Sequence, residues 1–182
     1  APQSAQAYAG PALSGGATGE VRLAPGASIS TNGESGRVLL FAPTVTNQGS
    51  ITVADGQVAL AAGTEIFIRQ PEEGAGSGLI VEVGNGGIVT NGASSNAGQR
   101  DPAALLGQVV ADRGTATLVG LSVNQLGRVS ASSAVRAGGT VRLLARSSIA
   151  GSAPGETLPS TGGQVLLGQR SVTSVNPDPT DT

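Results

Sequence analysis

The sequence predicts an all-β fold, a single-stranded parallel β-helix (β-solenoid) with coils of roughly 20–25 residues. Three observations favour it: a short alternating phrase that recurs along the chain, constant spacings between the glycines of these phrases, and Asn-Gly turns between them. The 182 residues include 29 Gly and 10 Pro, and no stretch sustains a helical spacing of apolar residues. A helical bundle is therefore disfavoured, since each interior Gly or Pro would destabilise it.

The first recurring phrase has the form Gly-x-apolar-x-Leu. Its period of two places both apolar residues on one face of a short strand. Copies lie at 19–23, 36–40, 56–60, 139–143 and 163–167, with a weaker copy at 114–118. The separations between successive glycines of this kind are 17 residues for Gly19 to Gly36, 20 for Gly36 to Gly56, 22 for Gly56 to Gly78, 25 for Gly114 to Gly139 and 24 for Gly139 to Gly163. Each interval is interpreted as one coil.

A second phrase lies between copies of the first. It occupies 45–53 and 123–129, and its Gly follows the Gly of the preceding first phrase by 13 residues in both places. The segments 49–56 and 107–114 also match, each with two Gly seven residues apart. Two preserved spacings indicate one structural unit used repeatedly.

The predicted interior is aliphatic, because the chain is 38% hydrophobic but only 2% aromatic. Asn32-Gly33, 47–49, Asn85-Gly86 and Asn91-Gly92 are predicted corners, where stacked Asn side chains form ladders. Alternation predicts as core residues Val21, Leu23, Ile29, Val38, Leu40, Val45, Ile51, Val53, Val58, Leu60, Ile66, Ile68, Leu79, Val81, Val83, Val109, Leu118, Leu121, Val123, Val129, Val141, Leu143, Val165 and Leu167.

Residues 1–182 are predicted to form a single β-helical segment. Loop excursions are expected near 70–78, 91–106 and 146–162, and a Pro-rich tail at 176–182. Within the second loop, 102–106 has room for one helical turn at most.

The composition excludes several kinds of chemistry. The chain has no Cys and no His, and its ten basic residues are all Arg, so thiol, imidazole and lysine chemistry are absent. No metal site, cofactor or catalytic residue is predicted. The net charge of −2 with scattered Arg argues against nucleic-acid binding, and no apolar run reaches the ~20 residues of a membrane span.

Five acidic residues near the loops are candidates for a carbohydrate-active site: Glu72, Glu73, Glu82, Asp101 and Asp112. Paired carboxylates hydrolyse glycosides when held about 5–9.5 Å apart. An Arg base or a groove between coils would also serve such an enzyme. The competing interpretation is that these are solvated loop charges.

Two further motifs have simpler structural explanations. Residues 158–162 (LPSTG) match a sortase signal, but an amphipathic strand follows instead of an apolar span and a basic tail. The glycine-rich stretches 74–78 and 84–87 lack the following helix that a phosphate-binding loop requires.

The stretches 36–66 and 113–146, together with 162–168 and the Ser-Val-Thr after it, resemble the filamentous haemagglutinin family of two-partner-secretion exoproteins. The resemblance implies a right-handed parallel β-helix in a large adhesin, exported through a dedicated outer-membrane pore, with no catalytic residues. The family's N-terminal secretion signature is not evident in residues 1–35, so an internal or excised shaft segment is expected.

We therefore expect a structural and adhesive segment of a secreted, cell-surface adhesin. Its expected partners are the outer-membrane secretion pore, a surface receptor or glycan, and further coils or another copy at the open ends. Alternatives are a polysaccharide lyase or hydrolase, and the shaft of a contact-dependent toxin-delivery exoprotein. Depolymerisation that is lost when Glu72, Glu73 or Glu82 is mutated would favour the enzyme.

Overall fold

A computed structural model describes residues 18–33, 35–71, 78–93, 107–134, 138–147 and 161–178. Within these ranges the chain forms sixteen strands and no helix, which confirms the all-β prediction. Most strands belong to three parallel sheets, so the long-range pairing expected from the repeats is present.

Sheets 1 and 2 contain five parallel strands each. Sheet 1 consists, in spatial order, of β1 (Glu20–Leu23), β4 (Thr44–Asn47), β8 (Ile88–Asn91), β11 (Ser122–Gln125) and β15 (Gln164–Leu167). Sheet 2 consists of β2 (Ser28–Thr31), β5 (Ser50–Ala54), β9 (Gln108–Asp112), β12 (Arg128–Ser133) and β16 (Val172–Pro177).

Sheet 3 contains four parallel strands and, unlike sheets 1 and 2, antiparallel pairs as well. Its parallel strands are β3 (Arg37–Ala42), β6 (Gln57–Arg69), β10 (Thr115–Gly120) and β13 (Thr140–Ser147), and β14 (Thr161–Gly162) pairs antiparallel with the end of β13. β7 (Ile80–Gly86) pairs antiparallel with the second half of β6.

The chain visits sheets 1, 2 and 3 in rotation, and we call one such passage a round. Each new strand pairs in parallel with the strand of the previous round, so residues at the same position of successive rounds stack. In sheet 1 one stacked row is Val21, Val45, Val89, Val123 and Val165. Like residues therefore lie on like residues, which buries aliphatic side chains without requiring large aromatic ones.

A central core lies between the inner faces of the three sheets. Its largest members include Ile51, Leu60 and Leu118, which are fully buried, and rows of Val and Ala fill the remaining space. At about 25 cal/mol per Å² of apolar surface removed from water, this continuous interior supplies the main driving force for folding.

Glycine marks the corners where successive rounds approach most closely. A Cβ on Gly56 would overlap the carbonyl oxygen of Gly36, and one on Gly114 would overlap that of Gly56. These carbonyls accept hydrogen bonds from Gln57 and Thr115 at 2.9 Å. The spacings in the sequence thus have a physical cause, because seven residues separate the two corners that flank β5.

A β-hairpin covers the outer face of sheet 3. After residue 62, β6 leaves the parallel pairing and forms the hairpin with β7, and Ile66 and Val83 are buried in a second apolar cluster with Ala59 and Ala61. The small alanines let the hairpin lie close to the sheet. The side chain of Gln57 anchors the far end of the hairpin. Its Nε2 donates to the carbonyl of Leu79, and its Oε1 accepts from the N–H of Leu79, both at 2.7 Å.

The prediction that every Gly-to-Gly interval forms one complete coil is wrong. The phrases beginning at Gly36, Gly56, Gly114 and Gly139 stack in register in sheet 3 as predicted. The phrases at 19–23 and 163–167 instead occupy sheet 1, so the intervals of 17 and 24 residues are only parts of rounds. The Gly-x-apolar-x-Leu phrase occurs in both sheet 1 and sheet 3, because a strand of either sheet needs two apolar side chains that point inward.

The predicted core also needs correction. Ile66, Ile68, Val81 and Val83 belong to the outer cluster, because the chain reverses in the hairpin. Leu79 lies outside both clusters and is partly buried. Leu121, Val165 and Leu167 are 38%, 40% and 57% exposed.

The loop boundaries shift where strands continue further than predicted. Asn91 ends β8, β13 continues through Ser147, and β14 begins at Thr161. The tail segment begins later than residue 176, since Pro177 lies in β16, where an edge strand tolerates a missing N–H donor. The helical turn considered at 102–106 lies outside the described residues.

Candidate binding surface

A column of three buried amides runs through sheet 1, formed by Asn47, Asn91 and Gln125. They occupy the same position in three successive rounds, and all are fully buried. Asn47 Nδ2 donates to Asn91 Oδ1, and Asn91 Nδ2 donates to Gln125 Oε1, both at 2.8 Å. The predicted Asn ladder is confirmed here, although it lies inside the core and ends on a Gln.

Each amide of this column also joins sheet 1 to sheet 2 of the next round. Asn47 donates to the carbonyl of Gln108 at 3.1 Å, Asn91 to that of Arg128 at 3.0 Å, and Gln125 to that of Val172 at 3.1 Å. Burial of an amide is costly unless its hydrogen bonds are made, and here both donors are used. The column is therefore a structural element, and its full burial keeps its polar groups out of reach of a ligand.

A charged cluster lies at the corner between sheets 2 and 3. Asp55 and Arg113 occupy equivalent positions of successive rounds and both have left-handed backbone, with φ of 51° and 50°. Arg113 Nε and Nη2 donate to the two oxygens of Asp55 at 2.6 Å, and Nη1 donates to Asp178 Oδ2 at 2.8 Å. The guanidinium thus links β5, β9 and the end of β16 electrostatically.

At this corner, each charged side chain stabilises the charged form of its partner. The hydrogen bonds from Arg113 lower the pKa of Asp55, against the opposing effect of burial. The hydrogen bonds from Asp55 and Asp178 raise the pKa of Arg113. Asp55 and Arg113 are therefore charged at neutral pH, and Asp178 completes the set of ion pairs, so this corner acts as a clamp.

The outer face of sheet 2 contains an open groove of about 230 Å³ across β9, β12 and β16. Gln108, Arg128, Ser130, Ser174 and Asn176 supply its polar lining. Arg128 is exposed, and no carboxylate among the described residues forms an ion pair with it. Asn176 Nδ2 donates to Ser174 Oγ at 3.4 Å within the groove. The guanidinium of Arg128 is exposed and carries a positive charge, unlike the neutral amide column and the ion-paired Arg113 clamp.

The carboxylates proposed for a carbohydrate-active site are not brought together where they are described. Glu82 lies in the hairpin over sheet 3, with Oε1 at 3.7 Å from a guanidinium nitrogen of Arg69 and of Arg146. Asp112 lies at the end of β9 in sheet 2. Glu72, Glu73 and Asp101 lie outside the described residues.

The other motifs have structural roles where they are described. The glycine-rich stretch 84–87 ends β7 and leads into β8, so no helix follows it, as predicted. Of the LPSTG motif, only 161–162 is described, as β14. The stretch 74–77 also lies outside the described residues.

Within the described ranges, no three His, Cys, Asp or Glu side chains lie together as a potential metal site. No helix in this part of the chain is long and apolar enough to cross a membrane. Comparison with family models, curated proteins and solved structures finds no match for the chain.

Proposed function

We propose that this chain is a segment of a right-handed single-stranded parallel β-helix that serves as a structural and adhesive part of a secreted, filamentous haemagglutinin-like adhesin of bacteria. The observation that carries the proposal is the rotation through three parallel sheets, with like residues stacked in every round. Such an architecture lengthens by adding rounds, because each round contacts mainly its neighbours. A stiff, extended rod suits an attachment filament.

The sequence phrases support the family assignment within this proposal. The stretches that resemble filamentous haemagglutinins, 36–66 and 113–146, supply β3 to β6 and β10 to β13. The proposed export partner is an outer-membrane secretion pore. Antibody labelling of intact bacteria that express the natural protein should stain the cell surface, and labelling only after permeabilisation would contradict this localisation.

A bead assay tests adhesion directly. Beads coated with the folded chain should bind epithelial cells or bacteria above the level of albumin-coated beads. Asn91→Asp, which disrupts the amide column, should abolish binding, whereas Asn124→Ala, on the outer face of the neighbouring strand, should not. Absence of adhesion by the folded chain, or depolymerisation of polysaccharides from a test panel, would contradict the adhesive role.

The ends of the stack are proposed to associate with another copy. Val165 and Val175 face inward on the edge strands β15 and β16, yet they are 40% and 47% exposed. Leu167, also inward, is 57% exposed. Among the described strands none pairs with the outer edges of β15 and β16, and an apolar end with such edges favours pairing. Light scattering should detect association that Leu167→Asp weakens and Leu166→Asp, on the outer face, preserves; a monodisperse monomer at all concentrations would contradict it.

A further inference from the structure

We infer that the groove on the outer face of sheet 2 binds a carboxylated glycan, with Arg128 as the residue that recognises the carboxylate. The inference deepens the proposed adhesive function and rests on it for its biological meaning. The side chains that line this groove belong neither to the amide column nor to the Arg113 clamp, although the column donates to the backbone carbonyls of Gln108, Arg128 and Val172.

The electrostatics of the groove favour an anionic ligand. Arg128 is exposed at the start of β12, between β9 and β16, and the described residues that line the groove include no carboxylate. Asp112 lies four residues along the adjacent strand from Gln108, the partner of Arg128, which corresponds to about 13 Å. Asp55 and Asp178 are engaged by Arg113. The charge of Arg128 is therefore available for a ligand.

The neutral groups of the groove suit a sugar. Gln108 and Val172 pair with Arg128 on either side, and Ser130 and Ser174 pair in the next outward row. Hydroxyl and amide groups at the ~4.8 Å strand spacing offer hydrogen bonds to sugar hydroxyls, while Val110 and Val172 offer contacts to the C–H faces of the sugar. The volume of about 230 Å³ is below the ~300–1,000 Å³ of enclosed small-molecule pockets, which fits contact with one part of a longer chain.

Carboxylate recognition is favoured over neutral or heavily sulfated glycans. None of the described residues that line the groove is aromatic, so they offer a neutral sugar no ring on which to stack. A guanidinium forms a bidentate, charge-assisted pair with a carboxylate, and this pair compensates for the lack of aromatic stacking. A densely sulfated polymer needs clustered cations, and Arg128 is the single cation among the described residues of the groove.

The test measures binding of the whole chain to sensors coated with polygalacturonate, hyaluronan or a sialylated polymer. Methyl-esterified polygalacturonate, dextran and dextran sulfate serve as comparison surfaces. We expect binding to at least one carboxylated polymer, with loss on esterification. Arg128→Gln should weaken that binding about tenfold or more, because a charge-assisted hydrogen-bond pair is lost. Arg128→Lys should lose part of the affinity, since the charge remains without the fork.

Arg142→Gln is the matched control, because Arg142 is an exposed residue on the outer face of sheet 3. Circular dichroism must show that all variants melt like the unaltered chain. The inference is overturned if no carboxylated polymer binds, if the ester or dextran sulfate binds as well, or if Arg142→Gln weakens binding as much as Arg128→Gln.

The adhesion assay separates this inference from the proposed function. If coated beads adhere to cells and Arg128→Gln beads adhere equally, the glycan site is wrong while the adhesive role stands. If the purified chain binds carboxylated polymers through Arg128 but beads adhere to no cells, the adhesive role is wrong while the site stands.

Discussion

Asn91 is the middle member of the amide column, and its replacement by Ala tests whether the column stabilises the fold. The substitution removes the only described donor to Gln125 Oε1 and one of the two acceptors of Asn47 Nδ2, at fully buried positions. A buried polar group left without its partner costs about 1–3 kcal/mol. With two such groups, we expect the free energy of unfolding to fall by about 2–6 kcal/mol.

Urea denaturation followed by circular dichroism measures this loss. With a slope of about 1–3 kcal/mol per M, the midpoint of unfolding should fall by about 0.7 M or more. Asn91→Asp keeps the volume but replaces both donors with acceptors that face carbonyl oxygens, so at neutral pH it should destabilise at least as much. Asn124→Ala removes only a 3.4 Å contact to Thr90 and should change stability by less than about 0.5 kcal/mol. If Asn91→Ala behaves like Asn124→Ala, the column is not a stabilising network.

Three other perturbations address the corners and the hairpin. Because Arg113 lowers the pKa of Asp55, the clamp stabilises the fold above the unfolded value of about 3.9 and loses this effect as the pH falls through the folded pKa. Thermal melts of Arg113→Gln should therefore show a weaker pH dependence below about pH 4; an unchanged profile would refute the clamp. Gly56→Ala should strongly reduce the melting temperature, whereas Gly19→Ala, with open space around it, should not; equal effects would contradict the close approach. Gln57→Ala should speed amide exchange in the hairpin while leaving the central core protected, and loss of protection in both would show that the hairpin does not open separately.

The sequence predicted the parallel stacking because the physical constraint is local and repeated. Gly56 and Gly114 are required by close backbone contact, and the seven-residue spacing from Gly49 and Gly107 reflects one strand with a corner at each end. The matched segments 49–56 and 107–114 do lie side by side in register. Repetition therefore revealed which strands pair, although the phrase alone did not reveal which sheet each copy joins.

The hairpin was not predictable from alternation, because an antiparallel return has the same period of two as a parallel strand. Ile66 and Val83 read as core residues in either arrangement. What distinguishes them is the small pair Ala59 and Ala61 on the outer face of β6, which leaves room for a covering element. Such a signal has meaning only once the inward face of β6 is known.

The sequence repeat contains a signal for the charged clamp. When 49–56 is matched with 107–114, Asp55 and Arg113 fall at the same position. Parallel in-register stacking brings equivalent positions to within about 4.8 Å at the backbone, so an acid and a base there predict an ion pair. The third member, Asp178, had no such signal, because it follows the last strand outside any repeat.

The composition of the amide column explains how a stack of similar strands keeps its register. The row contains Leu23, Asn47, Asn91, Gln125 and Leu167, so the three amides pair with one another and apolar residues bound them on either side. A shift of any strand by one residue would turn its amide outward and bury an unpaired outer residue in its place. The valine row alone would tolerate a shift by two residues, whereas the amides would then lose partners at a cost of about 1–3 kcal/mol each. Polar residues in this core therefore specify which alignment of the rounds is stable, while the aliphatic rows provide most of the stability.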